Sequence, residues 1–306
     1  MRSLIFYRIE MERVNKTLQY FWSHLNDPVK CFRSKTFPAS LTGGSWGRFY
    51  KALKCYIFSI LVLLLSWQSP TSGEPQHPLE TRVPILLYHR FGPVVADSMT
   101  VTTSTFESHL QYLKNHGYTV IPLRHLVDYS LGKRPSLPSR SLVITADDGH
   151  KSVYTEMFPL LKKYNIPVTL FLYPSAISNA SYAMTWKQLR EIKESELFDF
   201  QSHTFWHPNF KEERKRLKPA EYEDFVEKQL KKSRERLQRE FGVKVDMLAW
   251  PFGIYDEWLL RKSIEAGYVA GFTMERRHAS PSENMMALPR YLIVHENALQ
   301  PIFDSK

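Results

Sequence analysis

From Arg82 onward, short apolar runs alternate with stretches patterned for helices, and this alternation constrains the fold more than any other feature of the chain. "VPILLYH" reads as a strand, and "STFESHLQYLKNHG" as a helix with Ser104 or Thr103 as N-cap. Phe106, Leu110 and Leu113 lie on one face of that helix, and Gly117 falls just past its end. "SLVIT" is a second strand, followed by a helix through "VYTEMFPLLKKYN", the strand "PVTLFLY", a helix opened by Thr185 and the strand "FDFQS". The charged stretch "PAEYEDFVEKQLKKSRERLQREFG" predicts a long helix that starts at Pro219, stops at Gly242 and exposes a solvated face of i,i+4 pairs. "DMLAW", "YVAGFT" and "RYLIVH" are further strands, with a helix around "YDEWLLRKSIEAG". Several βα units in the 225 residues from 82 to 306 predict an α/β fold. The expected architecture is a single (β/α) barrel, incomplete or distorted, rather than an open doubly wound sheet.

The segment ahead of this domain is of another kind. Lys51 and Lys54 precede an apolar run, Cys55 to Trp67, and a small, Pro-rich stretch follows. Thirteen residues are short of the about 20 needed to span a bilayer. They suit the core of a secretory signal, or an uncleaved signal anchor that touches the membrane through residues 55–67. The expected division is a basic extension (1–54), the hydrophobic segment (55–67), a linker (68–81) and a catalytic domain (82–306). Residues 1–50 read as a cytoplasmic tail or as translated sequence upstream of a start near Leu53. The expected location is outside the cytoplasm: periplasmic, cell-surface or secreted, or anchored in the cytoplasmic membrane.

Net charge is +10, but residues 1–54 hold ten Lys/Arg against three Asp/Glu, which leaves only +3 for the remainder. A nucleic-acid partner for the main domain is therefore not expected. Both cysteines, Cys31 and Cys55, lie at or before the hydrophobic segment, so any metal site in the domain must use His and carboxylate.

Polar, metal-capable residues follow the strands at their C-terminal ends, where barrel enzymes build their sites. Asp147 and Asp148 come after "SLVIT", His203 and His207 after "FDFQS", "PFG" after "DMLAW", and His295 after "RYLIV". Two histidines four apart suit one helical turn, and one carboxylate would complete a His₂-Asp site with open positions. By itself an H-x-x-x-H pair is more often two ordinary histidines, and Asp-Asp-Gly is ordinary turn chemistry. Their shared position at strand ends is what raises them together. His295 reads equally as structural or catalytic, and Trp206 and Trp250 as sugar-stacking platforms or plain core aromatics.

With these residues in view, the region from about Val83 to His295 resembles the polysaccharide deacetylases, the NodB-homology domain of carbohydrate esterase family 4. "TADDG" is similar to the family's T-F-D-D-G motif, which implies Asp147 as general base and Asp148 as metal ligand. "HTFWHP" matches H-[ST]-x-x-H-P, implying His203 and His207 as ligands. "AWPFG" resembles R-x-P-[YF]-G, which implies an oxyanion donor in the Phe252 amide, with Trp250 and Pro251 beside the substrate. "IVH" would supply the general acid, His295. Ala146 replaces the usual Phe, Ala249 stands where many members have the Arg that contacts the base, and no D-W pair occurs near "GYVAGFTME". "ILLYHR" and the A-W-P-F-G form instead look like the branch that deacetylates exported poly-N-acetylglucosamine in biofilms.

The resemblance implies a distorted barrel of the NodB type behind a signal or anchor helix, and a divalent metal, zinc first, with cobalt, nickel or iron as alternatives. It implies hydrolysis of acetamides on an N-acetylglucosamine polymer, with release of acetate. Alternatives are a non-catalytic or weakly active carbohydrate-binding domain, and a deacetylase of peptidoglycan or chitin oligomers. A glycoside hydrolase would need carboxylates about 5–9.5 Å apart across the sugar, which adjacent acids meet only by accident. A cyclic-amide hydrolase on the same scaffold would act on a cytosolic substrate, against the export segment.

Overall fold

Parallel strands buried on both faces form the frame, and their period of two decides which residues reach the interior. The computed structural model describes residues 81–304. Expectations for residues 1–80, the basic extension and the hydrophobic segment, lie outside the described residues. Among the described residues no helix is long and apolar enough to cross a membrane.

Strand β1 (Ile85–Tyr88) is followed by a short parallel pair, β2 (Arg90–Gly92) and β3 (Thr100–Thr102), and then by helix α1 (Thr103–Asn115). Next come β4 (Thr119–Val120), α2 (Leu123–Ser130) and β5 (Ser141–Asp147). A π turn over Val153–Met157 leads into α3 (Phe158–Tyr164), and β6 (Val168–Leu172), α4 (Trp186–Lys193) and β7 (Phe198–Ser202) follow. The chain then forms α5 (Phe210–Arg216), α6 (Pro219–Phe241), β8 (Met247–Ala249), α7 (Glu257–Glu265), β9 (Ala270–Phe272), β10 (Tyr291–Leu292) and α8 (Gln300–Asp304).

The main sheet is parallel throughout, in the order β10-β1-β5-β6-β7-β8-β9, with β4 pairing onto β5. β9 and β10 do not pair with each other. Leu288, ahead of β10, adds a single bridge to the edge of β9: its N–H donates to Gly271 O, and its own carbonyl accepts from Thr273 N–H, both at 2.8 Å. The result is a curled, incomplete α/β barrel, as the alternating pattern predicts.

Alternate residues of the strands sort into two apolar layers. Leu86, Leu142, Ile144, Leu170 and Leu172 pack outward under the helices. Ile85, Val143, Phe171, Met247, Ala249 and Phe272 fill the interior. Asp147 shares the parity of Val143 and so turns inward at the top of β5. Tyr88 stands opposite Ala146, which brings the next residue, His89, level with Asp147.

Local signals act as read, with some shifts. Thr185 closes a capping box with Gln188. Helix α6 buries Tyr222, Val226, Leu230, Ser233, Leu237 and Phe241 as one stripe and ends at Gly242 in the left-handed region (φ 64°). Its outer face carries Lys228–Asp224 and Lys231–Glu227 pairs. The cap of α1 is Thr102, not Ser104 or Thr103: its hydroxyl accepts from Thr105 N–H at 3.0 Å, because β3 runs directly into the helix.

Candidate metal and catalytic site

A cavity of about 480 Å³ opens at the C-terminal ends of the strands, within the range of small-molecule sites. Asp147, Asp148, His203 and His207 line it together. The backbone is bent to deliver them: Asp148 (φ 71°), His207 (62°) and Phe252 (57°) all occupy the left-handed region. For non-glycine residues such angles cost free energy and concentrate at functional sites. The turn after Asp148 is completed by Gly149, also left-handed, where a Cβ would sit 2.8 Å from Leu172 Cδ2.

The histidine pair does not lie on a helical turn, as its spacing suggests. Residues 203–209 form an irregular bend between β7 and α5, with Thr204 (φ 63°) and His207 left-handed, and the His207 N–H donating to Thr204 Oγ1 at 3.2 Å. The bend folds the rings edge to face, with centroids 4.5 Å apart. It also places His203 Nε2 3.6 Å and His207 Nε2 3.7 Å from Asp148 Oδ1.

These three residues fit a divalent metal. Their ligand atoms lie within 4.8 Å of one another. Asp148 Oδ1 is buried with no hydrogen-bond partner, an expensive state for a polar atom that a cation would relieve. His203 Nδ1 is 2.8 Å from Ala249 O and so donates to it, leaving Nε2 as the free lone pair, the usual outer support of a metal-binding imidazole. Burial pushes His203 down to about 3 and lowers His207 as well, so both rings are neutral and ready to ligate. Burial is also the main influence that raises Asp148. Nitrogen and oxygen ligands in a set of three suit zinc with open positions.

Asp147 is held differently. Burial alone would raise its pKa, but the Arg290 guanidinium, with His203 and His89 behind it, brings it below the ordinary carboxylate range. Arg290 is fully buried and forks onto the carboxylate, Nη1 to Oδ1 at 2.8 Å and Nη2 to Oδ2 at 2.7 Å. Its Nε donates to Thr273 O at 3.0 Å, and its plane lies over Phe171. Sequence reasoning missed this residue. It restores, from the start of β10, the cation whose absence at Ala249 is conspicuous in the motif.

The expected general acid is not brought to the site. His295 is exposed, caps a short turn at Glu296–Ala298 and does not line the cavity, because β10 ends at Leu292 and the chain turns away. A third histidine does line it beside His203 and His207: His89, one residue past β1. It is buried, its Nδ1 has no hydrogen-bond partner, and Asp147 and Asp148 partly offset the downward pull of burial on its pKa. The available signal was the polar "YHR" closing an apolar strand.

The aromatic residues also separate. Phe252 is 57% exposed at the mouth, its ring edge-on to His207 at 4.6 Å. Pro251 is buried beneath it, and Trp250 is a wall residue, fully buried, with its indole N–H donating to Met286 O at 2.8 Å. Trp206 is 48% exposed but packs on Phe225 and lies outside the cavity.

Residues 134–271 match the polysaccharide deacetylase family. Over that span the chain is similar to a polysaccharide deacetylase domain. The poly-beta-1,6-N-acetyl-D-glucosamine N-deacetylase of Staphylococcus epidermidis is 29% identical to it over 201 residues, 64% of this chain and 69% of that one. The enzyme of the same name from Staphylococcus aureus strain MRSA252 is 29% identical over 198 residues, 63% and 68% of the two chains. Among solved structures, the Streptococcus pyogenes deacetylase PplD superposes with TM-score 0.64 at 22% identity, covering 74% of this chain and 99% of its own. IcaB from Ammonifex degensii gives TM-score 0.64 at 24% identity, with 72% and 95% covered. At these identities the two structural likenesses speak to the deacetylase fold alone. The matched span contains the Asp pair, the His pair and the P-F-G turn, while His89 of the same cavity and Arg290, buried behind Asp147, lie outside it.

Proposed function

We propose that the deacetylase domain hydrolyses the acetamide of N-acetylglucosamine units in a polymer of the poly-β-1,6-N-acetylglucosamine kind, releasing acetate. The observation that carries this reading is the pairing, in one cavity, of a three-ligand metal group with a separate carboxylate kept ionised by a buried arginine. Those two functions suit amide hydrolysis, which gains from a base for the attacking water and a Lewis acid for the carbonyl. The relatives named for this substrate support the choice of polymer.

Asp148, His203 and His207 would hold a divalent ion, zinc by ligand type, and its contribution when bound is Lewis acidity toward the acetyl group. Asp147 takes the proton of the attacking water. Arg290 fixes the plane of its carboxylate and keeps it charged, so the base needs no reorganisation. The Phe252 amide, carried on its left-handed turn at the mouth, donates to the oxyanion as the carbonyl becomes tetrahedral. His89, buried beside both acids with its Nδ1 unpartnered, passes on to the leaving nitrogen the proton that Asp147 takes from the water. The hydrophobic segment 55–67 supports action outside the cytoplasm, where such a polymer is found.

The test is acetate release from poly-β-1,6-N-acetylglucosamine, peptidoglycan and chitin oligomers, with the metal removed by chelation and then restored. Metal-dependent release from the first substrate is expected. Absence of release from all three would sink the reading, and release only from peptidoglycan or chitin would redirect it.

A further inference from the structure

Tyr182 lines the catalytic cavity from the loop between β6 and α4, and none of the roles above uses it. Unlike the interior aromatics it is 41% exposed. The loop that carries it is stitched to the turn after Asp148. Lys151 N–H donates to Tyr182 O at 2.8 Å, Met184 N–H to Gly149 O at 2.9 Å, and His150 bridges Ala183. Its place relative to the metal-ligand group is therefore set by backbone hydrogen bonds.

The side chain is braced at two points. The His150 ring lies parallel to it, with centroids 6.3 Å apart and planes within 8°. At its far end the hydroxyl meets that of Tyr173 at 2.6 Å. The Tyr173 ring in turn packs against His207 at 5.3 Å, and His207 against Phe252 at 4.6 Å. An aromatic band thus crosses the cavity beside the metal-ligand group, exposed at both ends, Tyr182 and Phe252, and more buried between them. A tyrosine serving only to join two loops gains by burying its ring, whereas this one is fixed in place at the cavity and left 41% exposed.

We propose that Tyr182 is the platform for the sugar unit next to the one being deacetylated. Hexosamine rings present an apolar face of C–H groups, and an aromatic face with its negative quadrupole is their natural support. One tyrosine side chain, Tyr173, stands between Tyr182 and the ligand His207. The ring therefore meets the neighbouring unit, not the acetamide in reaction. This inference rests on the hexosamine-polymer reading and assigns the enzyme a preference for chains over single sugars.

The experiment compares wild type, Tyr182→Ala and Tyr182→Phe on the N-acetylglucosamine monomer and its β-1,6-linked tetramer, measuring binding by calorimetry separately from acetate release. Tyr182→Ala should weaken tetramer binding and raise KM about tenfold while changing kcat less than about threefold. Tyr182→Phe keeps the ring and should recover most of the loss. Tetramer affinity unchanged in Tyr182→Ala, a loss expressed in kcat with KM unaltered, or no recovery with Phe would each overturn the proposal. Tyr182-dependent tetramer binding without acetate release would uphold the platform while removing the proposed reaction.

Discussion

Arg290→Met tests the construction of the site most directly. The substitution removes the guanidinium but keeps an unbranched apolar stem, leaving the Asp147 carboxylate buried without its two hydrogen bonds of 2.8 and 2.7 Å. Stripping one partner from a buried ion pair costs about 3–5 kcal/mol, chiefly because the remaining charge is stranded. At about 2–4 °C per kcal/mol for a domain of this size, the midpoint should fall by roughly 6–20 °C. Adding Asp147→Asn removes the stranded charge, so the double variant should be more stable than Arg290→Met alone. The coupling between the two positions should be about 2–3 kcal/mol. Urea unfolding of the four proteins at pH 7, with chelator present throughout, measures it. Turnover provides a second readout. Without the arginine, burial is left to move Asp147 upward, so the acid limb of the pH–rate profile should shift to higher pH. A loss below about 1 kcal/mol, or an equal loss in the Asp147→Asn background, would refute the claim that this pair organises the site.

Four other outcomes are expected. His203→Ala should lose both bound metal and activity, whereas Asp147→Asn should keep near-stoichiometric metal and lose turnover, as metal analysis after dialysis would show. His89→Gln should lower kcat by about 10²–10⁴-fold, the usual worth of a general acid, while His295→Gln stays within about twofold in the same assay. Gly149→Ala forces a Cβ into the left-handed region 2.8 Å from Leu172 Cδ2 and 3.1 Å from Ile177 Cδ1, and should cost about 1–3 kcal/mol in unfolding experiments and weaken metal binding through Asp148. At the opposite end of the barrel, burial pushes Asp246 upward, but Arg124 and Lys244 hold its pKa below the ordinary 3.8. Its contribution to stability is therefore full above that value and is lost as pH falls through the lower folded-state pKa. Asp246→Asn should flatten the fall in thermal midpoint measured across that acid range.

The elements legible in sequence are those whose signals are local. Thr185 and Gly242 mark helix ends because a cap hydroxyl or a left-handed glycine satisfies groups within a few residues. The stripe of α6 follows from one helix against one core. Strands too short for a periodic signal were not foreseen: β2, β3 and β4 have two or three residues each, and tertiary pairing holds them. The Asp and His motifs were legible for a different reason, since each sits within a few residues of chain and needs only a strand end to present it. Even there the backbone path was not, as the left-handed bend of 203–207 shows.

Sequence by itself determined the repeated βα order and pointed to four residues that line the cavity, because each of these rests on neighbours in the chain. Only the tertiary structure decided which histidine and which arginine complete it. Placing β1 beside β5 brings His89 level with Asp147, and placing β10 on the other side of β1 leaves Arg290 facing a carboxylate 143 residues away. Before the barrel curls, His89 and His295 are two polar residues at two strand ends, and Arg290 is one cation among forty-one Lys and Arg. The contacts that distinguish them exist only when distant strands share a sheet, and once Asp147 is buried its charge must be met by a partner from across the interior, here Arg290.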